Sequence, residues 1–210
     1  MFSGATLEQF GDSLAAGTPT PGGGSAAALA GSLAAALVEM VCGLTIGKEA
    51  YRDHEPALQV MRDRAGTLRR DLLAMVDRDA EAYDGVMAAI RMPKANDADK
   101  AARKEALGRA NTTATEVPLA TAECCAALMS LARDLVSKGN RNALSDIGTA
   151  GVLAEAGLRG ALMNVRINLG GFPDPVKAVA IRDRARDLET EGDRLRLASF
   201  EALKAAGAGL

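Results

Sequence analysis

The chain has 210 residues, of which 48% are hydrophobic, 25% charged and 3% aromatic, and its formal net charge is −2. This balance is typical of a globular protein and excludes a disordered one. The few aromatic residues argue against a β-sandwich, and the dispersed lysines and arginines argue against nucleic acid as a partner. Length and an alanine-rich composition predict one helical domain over residues 1–210.

Cysteine and histidine usage limits the metal and disulfide chemistry. The cysteines are Cys42, Cys124 and Cys125, there is no CxxC pair, and His54 is the sole histidine. We therefore expect no disulfide framework, no metal site and, unless His54 serves, no histidine-based nucleophile triad. The N-terminal sequence MFSGATLEQF lacks the basic start and apolar run of a signal peptide, so we expect a cytoplasmic protein.

The first predicted elements are a short helix over residues 7–16, capped by Thr6, and a long alanine-rich helix. Between them lies the turn TPTPGGGS, whose Ser25 is placed to cap the second helix. The stretch from residue 26 to residue 47 would nearly span a bilayer, but Glu39 interrupts it and alanine offsets little of that cost. We expect a buried helix of a soluble protein that does not enter a membrane.

Small residues give the alanine-rich helix and its preceding turn two further possibilities. Ala27, Gly31 and Ala35 allow another helix, or a second subunit, to approach closely. The consecutive glycines of the turn expose backbone N–H groups beside a helix N-terminus, which is an arrangement that can cradle an anion. An ordinary inter-helix turn is the alternative, because no strand precedes the glycines and no GK[ST] ending follows them.

A third helix is predicted over residues 55–90, with apolar residues alternating at spacings of three and four. Asp79 falls on this apolar stripe, seven residues after Leu72 and seven before Val86. Because an isolated buried charge is costly, the acid is either a partnered structural residue or an active-site carboxylate. Both interpretations remain open from the residues alone.

The remaining chain predicts three more helices, over residues 100–138, 143–168 and 176–206. Pro118 is expected to kink or break the first of these. Each glycine inside a helix costs about 0.8–1.0 kcal/mol relative to alanine, so the fifth helix needs close packing or a ligand as compensation. Its glycines are Gly148, Gly151, Gly157 and Gly160.

The fifth helix also carries polar residues on one face. Asp146, Asn164 and Asn168 share it, but Asp146 and Asn164 are about 27 Å apart along the axis. They therefore serve different parts of a ligand, separate sites joined across a dimer, or contacts between neighbouring helices.

Several motifs in order resemble the formiminotetrahydrofolate cyclodeaminase/methenyltetrahydrofolate cyclohydrolase family. They are PTPGGGSAAALAGSLAAALVEMVCGLTIGKEAY, VDRDAEAY, MPK, VPLA, GNRNALSDIGTA and NVRINL, and they extend from about residue 7 to residue 169. The resemblance implies an all-α, single-domain antiparallel bundle of about six helices that dimerises, with a tetrahydrofolate derivative bound near the subunit interface.

The resemblance implies either of two activities. A cyclohydrolase opens 5,10-methenyltetrahydrofolate to 10-formyltetrahydrofolate, and a cyclodeaminase closes 5-formiminotetrahydrofolate with release of ammonia. The free-standing chain and the sequence TIGKEAY favour the cyclohydrolase. A non-catalytic folate-binding or scaffold protein is the alternative from another class. No cofactor is expected, because folate is itself the substrate.

The resemblance also supplies the candidate site. Lys48 and Asp146 match its motifs and are the leading catalytic pair, with Tyr51 ordering the lysine or a water. Lys48 could instead bind the glutamate tail. The expected substrate-binding residues are Pro21, Gly22, Gly23, Gly24, Ser25, Asp79, Asn140, Asn142, Asn164 and Asn168.

One distance conflicts with a site inside one subunit. If the helix is continuous, Ser25 and Lys48 lie about 35 Å apart. Either one of them is structural, or a two-fold dimer brings the opposite ends together.

Overall fold

The computed structural model describes residues 1–208, and every regular element within them is helical. The all-α fold with about six helices is confirmed, and each predicted helix bound lies within three residues of the observed one. The six α-helices are α1 (Leu7–Ala15), α2 (Gly23–Thr45), α3 (Glu55–Arg91), α4 (Asp97–Lys138), α5 (Leu144–Asn168) and α6 (Pro175–Ala205). Short 3₁₀ helices occupy Glu49–His54, Arg141–Ala143 and Leu169–Gly171.

Helices α2 to α6 alternate in direction and form the predicted antiparallel bundle. The start of α2 contacts the middle of α3, where Ser25 Oγ lies 3.0 Å from the carbonyl of Val76. Helix α5 runs back along α2, and α6 returns parallel to α4, to which Arg184 binds through an ion pair with Glu123 at 2.8 Å. Beyond the start of α2 the bundle is continued by α3 and α4, since Asp79 lies beside Gly24 and α3 runs on to Arg91.

Helix α2 packs against α3, α4 and α5 and contributes much of the core. Its Ala28, Ala34 and Ala35 are fully buried. It is also long and apolar enough to cross a membrane, although half of its most apolar window is buried inside the bundle. The acid that interrupts it, Glu39, is half-buried and pairs with Arg69 of α3 at 2.5 Å.

Two glycines allow α2 and α5 to approach at backbone distance. A Cβ on Gly157 would lie 2.8 Å from the carbonyl oxygen of Ala27 and 2.7 Å from Cys125 Sγ, and a Cβ on Gly31 would meet the same sulfur at 2.7 Å. Close packing therefore compensates the helix cost of Gly157, as predicted. It does not explain Gly151, which faces open space.

Pro118 lies inside α4, which continues past it to Lys138, so of the predicted kink or break the break is absent. A proline has no N–H, which leaves the carbonyl four residues earlier, that of Ala114, without its helical donor. The side chain of Asn168, at the end of α5, supplies the missing donor, with Nδ2 at 2.6 Å from that oxygen. This contact ties α5 to α4 and lets the helix continue.

Ser25 is not the N-cap of α2, which is a second correction. The helix begins two residues earlier, at Gly23, and its N-cap Gly22 makes no side-chain hydrogen bond. The first predicted cap is confirmed, since Thr6 Oγ1 accepts the N–H of Gln9 and Gln9 Oε1 accepts the N–H of Thr6. The carboxylate of Asp79 on α3 lies at the start of α2 and accepts hydrogen bonds from the hydroxyl and the backbone of Ser25. Ser25 therefore lies inside the helix and does not cap it.

One face of α2 remains uncovered, and we call it the α2 face. Leu33, Met40 and Leu44 are 45%, 40% and 47% exposed, although other residues of this helix are fully buried. The spacing alternates between four and three, as in a coiled-coil seam. The face consists of Ala26, Ala30, Leu33, Leu37, Met40 and Leu44.

Candidate functional site

The predicted site residues form two clusters at opposite ends of α2. The glycine cluster lies at its N-terminus and the lysine cluster lies just beyond its C-terminus. The glycine cluster contains Pro21, Gly22, Gly23, Gly24, Ser25, Asp79, Asn164 and Asn168; the lysine cluster contains Lys48, Tyr51, Asn140, Asn142 and Asp146.

The carboxylate of Asp79 is the centre of the glycine cluster. Its Oδ2 accepts a hydrogen bond from Ser25 Oγ at 2.9 Å. The carboxylate packs directly on Gly24, where an added Cβ would lie 2.6 Å from Asp79 Cγ. Only glycine therefore fits at position 24 while Asp79 keeps this place.

Asp79 sits where the first N–H groups of α2 have no helical acceptor. Those groups and the helix dipole favour a negative charge. Burial raises the pKa of Asp79, and hydrogen bonds from the side chain and backbone of Ser25 oppose that rise. The predicted anion cradle at the glycine turn is thus occupied by the protein's own carboxylate, that of Asp79. A half-buried carboxylate with a raised pKa is also suited to accept a proton.

Two asparagines of α5 lie at the same end of the bundle as the start of α2. Asn164 Nδ2 donates to the carbonyl of Gly160 at 2.9 Å, and a Cβ on Gly23 would lie 3.9 Å from the same nitrogen. Asn168 lies one turn further along α5, with its Nδ2 bound to Ala114. Since one amide donor of each is used inside the fold, their expected contact with substrate stays a prediction.

The N-terminal segment is fixed to α3 next to this cluster. The carboxylate of Asp77 accepts the backbone N–H groups of Phe2 and Ser3 and the hydroxyl of Ser3. Burial acts to raise the pKa of Asp77, but these hydrogen bonds outweigh it and lower the pKa. This acid therefore has a structural role, and Asp79 two residues later has a different environment.

The lysine cluster begins where α2 ends. Gly47 adopts φ +81°, a left-handed conformation that glycine permits at no steric cost, and it turns the chain so that Lys48 is exposed. Lys48 then starts the 3₁₀ helix, its carbonyl accepting the N–H of Tyr51 at 2.9 Å. The Tyr51 hydroxyl accepts the N–H of Arg141 at 3.1 Å, which links this turn to the α4–α5 connection.

Asn140 anchors that connection, and Asp146 lies beyond it. The backbone N–H of Asn140 donates to Thr45 Oγ1 at 2.9 Å, and its Oδ1 accepts the N–H of Asn142 at 3.1 Å. Asn140 is 8% exposed, so its predicted contact with substrate competes with a clear structural role. The side chain of Asn142 is exposed, and that of Asp146 is half-buried in the first turn of α5.

Burial explains the state of the cysteines. It raises the pKa of Cys42 to about 11 and that of Cys124 to about 11, so both are neutral thiols at pH 7. Cys125 is fully buried against Gly31 and Gly157, where it packs as a small side chain. In residues 1–208, no three His, Cys, Asp or Glu side chains are grouped as metal ligands.

Sequence reasoning missed a basic pocket of about 550 Å³, which we call the α4 pocket. Its cations lie on the first turns of α4 and in the preceding loop, and the spacing 100, 103, 104 on one helix face could have indicated it. Its lining residues are Lys94, Lys100, Arg103, Lys104, Leu107, Gly108, Asn111, Gly171 and Pro173.

A second cavity, of about 290 Å³, is apolar and lies between α4, α5 and α6. It is lined by Met129, Ile147, Phe200 and Leu203 among others, and by none of the predicted site residues. The predicted site is therefore the pair of clusters at the ends of α2 and not this internal space.

Comparisons with known proteins agree on one family. A family model described as formiminotransferase-cyclodeaminase matches residues 6–187. A methenyltetrahydrofolate cyclohydrolase of Methylorubrum extorquens is 43% identical over 207 residues, covering 97% of this chain and 98% of the relative. The formimidoyltransferase-cyclodeaminase of Rattus norvegicus is 33% identical over 203 residues, but this chain spans only 38% of its length.

A solved structure extends the likeness to the fold. The crystal structure of formiminotetrahydrofolate cyclodeaminase from Thermotoga maritima superimposes with a TM-score of 0.87 at 26% identity, covering 98% of both chains.

Proposed function

The chain belongs to the formiminotransferase-cyclodeaminase family, and we propose that it is a methenyltetrahydrofolate cyclohydrolase. The supporting observation is its 43% identity with the Methylorubrum extorquens cyclohydrolase over nearly the whole of both chains. In this reaction water opens 5,10-methenyltetrahydrofolate to 10-formyltetrahydrofolate, a step of one-carbon metabolism.

The substrate determines what the protein must supply. Its N–C–N cation is already electrophilic, so the proposed reaction uses no metal and no cofactor. A water must be directed at the carbon and must lose one proton as its oxygen bonds there. As the C–N5 bond breaks, N5 must gain a proton and the hydroxyl of the adduct must lose its own to become the formyl oxygen, so that one proton is released overall. One base, one proton donor and a pocket that fixes the pterin therefore suffice.

The two clusters contain these groups. Lys48 is the proposed donor to N5, and Asp146 lies at the same end of the bundle, where it offsets the substrate cation. Asp79 is the carboxylate best suited to take the proton of the water, since burial raises its pKa. Tyr51 orders the lysine or the water. The pterin edge forms hydrogen bonds with the side chains of Asn142 and Asn164. Asn140 and Asn168 hold the backbone segments that carry these two residues.

The clusters need a second copy of the chain to meet, and we propose a homodimer formed through the α2 face. The exposed leucines and methionine of that face are a seam of the kind that pairs with another helix. The face is centred near residue 35, so two α2 helices that pair antiparallel about that point place Lys48 of one copy beside Gly22 of the other. Each site then combines the lysine cluster of one copy with the glycine cluster of the other.

This dimer also accounts for the glycine turn and for the apolar length of α2. Residues 21–25 contact the substrate from the opposite copy, and they need no chemistry of their own. Covering the α2 face removes the apolar surface that a membrane would otherwise cover. The proposal accordingly includes a soluble, cytoplasmic enzyme with no membrane or nucleic-acid partner.

The function is tested by following the absorbance of 5,10-methenyltetrahydrofolate with and without protein, after correction for spontaneous hydrolysis. We expect protein-dependent loss of absorbance with 10-formyltetrahydrofolate as product. Absence of acceleration, together with release of ammonia from 5-formiminotetrahydrofolate, would assign the cyclodeaminase activity that the Thermotoga maritima relative is named for. If neither activity is detected, the non-catalytic alternative remains.

A further inference from the structure

The cavity of about 290 Å³ between α4, α5 and α6, which we call the apolar cavity, has no part in the proposed reaction. Its walls include Met129, Ile147 and Leu203, which are 2%, 2% and 6% exposed. Its rim includes Val152 and Phe200, whose side chains are exposed although they are apolar. A deep apolar space with an apolar rim and a few polar groups is the common form of a small-molecule site.

Gly151 of α5 helps to keep this cavity open. It is one of the lining residues, and a Cβ added to it would meet no atom within 4 Å. Glycine inside a helix is less stable than alanine, and here no close contact between helices offsets that cost. A ligand that lies against Gly151 is the compensation that remains.

The cavity is elongated, and its charged residues lie at one end. It extends for about 10–12 Å along each of the three helices. Its lining residues lie within 129–136 of α4, 147–155 of α5 and 196–203 of α6. Since α5 runs antiparallel to α6, Glu155 lies level with Arg196, at 3.6 Å. At the other end the lining is apolar, and a Cβ on Gly148 would lie 3.5 Å from Leu203.

Arg196 has hydrogen-bond donors available at the charged end. Glu155 Oε1 already accepts Nε of Arg159 at 2.8 Å, and Arg159 also donates to Asp193 at 2.6 Å. Arg196 is 3.6 Å from the same Glu155 oxygen, which is too long for a hydrogen bond. Ser199, one turn further along α6, adds a hydroxyl to the lining. This end of the cavity therefore offers N–H and O–H donors to an anionic group.

We propose that the apolar cavity binds a straight-chain carboxylic acid of about eight to ten carbons, with its carboxylate at Arg196 and its tail against Gly151. The volume is about twice the ~150 Å³ in which an apolar cavity accommodates benzene, so about ten carbon atoms fit. An extended chain of about nine carbons covers ~10 Å, because each C–C bond of about 1.5 Å advances it by ~1.3 Å. The fork of N–H groups on arginine matches a carboxylate.

The first test is a chain-length series on the wild type. Isothermal titration calorimetry at pH 8 with hexanoate, octanoate, decanoate and dodecanoate should give one site per chain. We expect the dissociation constant to fall about fourfold for each methylene added up to decanoate, because each one is buried. It should fall no further for dodecanoate, which is longer than the cavity. A dissociation constant that does not depend on chain length would overturn the proposal.

The second test fills the cavity. Gly151→Leu should abolish decanoate binding and leave the thermal stability equal or higher, since leucine is the better helix former. Gly85→Leu is the matched control, because Gly85 lies inside α3, outside the apolar cavity, and its added Cβ also meets no atom within 4 Å. The control should bind decanoate like the wild type. Unchanged binding in Gly151→Leu would overturn the proposal, as would a loss of dimers in sedimentation, which would show that a second copy covers the cavity.

The third test concerns the carboxylate and keeps the proposal falsifiable if Gly151→Leu does not fold. Arg196→Gln should weaken decanoate binding about fivefold and leave the binding of uncharged 1-decanol within about twofold. Arg194→Gln, which removes an exposed cation of α6 that does not line the cavity, is the control and should change neither. Unchanged decanoate binding in Arg196→Gln would contradict the proposed orientation and overturn the site. These readouts need no turnover, so they are independent of the proposed enzymatic function.

Discussion

Asp79→Asn is expected to lower kcat at least about a hundredfold in a protein that stays folded. Loss of a positioned general base typically costs 10²–10⁴-fold, and the amide oxygen of Asn can still accept the hydrogen bond of Ser25. Stopped-flow or steady-state loss of methenyltetrahydrofolate absorbance measures the effect. Asp71→Asn, at an exposed acid two turns earlier on α3, is the matched control and should leave kcat within about twofold.

The pKa of Asp79 adds a stability signature to the same variant. Because burial raises this pKa in the folded state, the folded protein binds the proton more tightly than the unfolded chain does. Its contribution to stability is therefore fully present at low pH and is lost as pH rises from the unfolded pKa through the folded one. Asn has no carboxyl group to ionise, so Asp79→Asn removes this pH-dependent loss of stability. At pH 7 the variant should therefore unfold at the same or a higher urea concentration than the wild type. A variant that is both inactive and less stable would instead indicate a purely structural acid.

Lys48→Met is expected to lower kcat about a hundredfold while changing the stability little. The lysine is exposed at the end of the Gly47 turn and forms no ion pair within residues 1–208, so its removal breaks no ion pair of the fold. As the proposed donor to N5, it acts only in the reaction.

The control for Lys48 lies at the same end of the bundle. Lys138→Met changes the last residue of α4 and should retain nearly normal turnover. Asp146→Ala should lower turnover at least about tenfold. Near-normal rates for both Lys48→Met and Asp146→Ala would remove this pair from the mechanism.

The sequence was sufficient for features that depend on local spacing. Helix-favouring composition, turn residues and apolar spacing located all six helices, and the N-cap at Thr6 was predicted and found. The position of Asp79 on an apolar stripe correctly marked an unusual carboxylate, although spacing could not show whether it was partnered. The structure shows that it is partnered, since the carboxylate accepts a hydrogen bond from the Ser25 hydroxyl at the start of α2.

Contacts between distant residues were not predictable in this way. Pro118 was expected to disturb α4, but the donor that repairs the helix comes from Asn168, fifty residues later. The start of α2 was misplaced for the same reason, because its anionic partner lies on another helix. The cations of the α4 pocket share a local helix spacing, but its floor depends on the α5–α6 connection packing against α4, which no local pattern contains.

The central claim is that each active site is shared between two copies of the chain, and mixing two inactive variants tests it directly. Lys48→Met and Asp79→Asn are unfolded together, refolded as a mixture, and assayed, with sedimentation confirming dimers. If the site is shared, each heterodimer has one intact site and one doubly altered site. Random pairing makes half of the dimers mixed, so activity should return to about a quarter of the wild-type value. Recovery no greater than the average of the two separate variants would contradict the claim, since a site within one chain gains nothing from mixing.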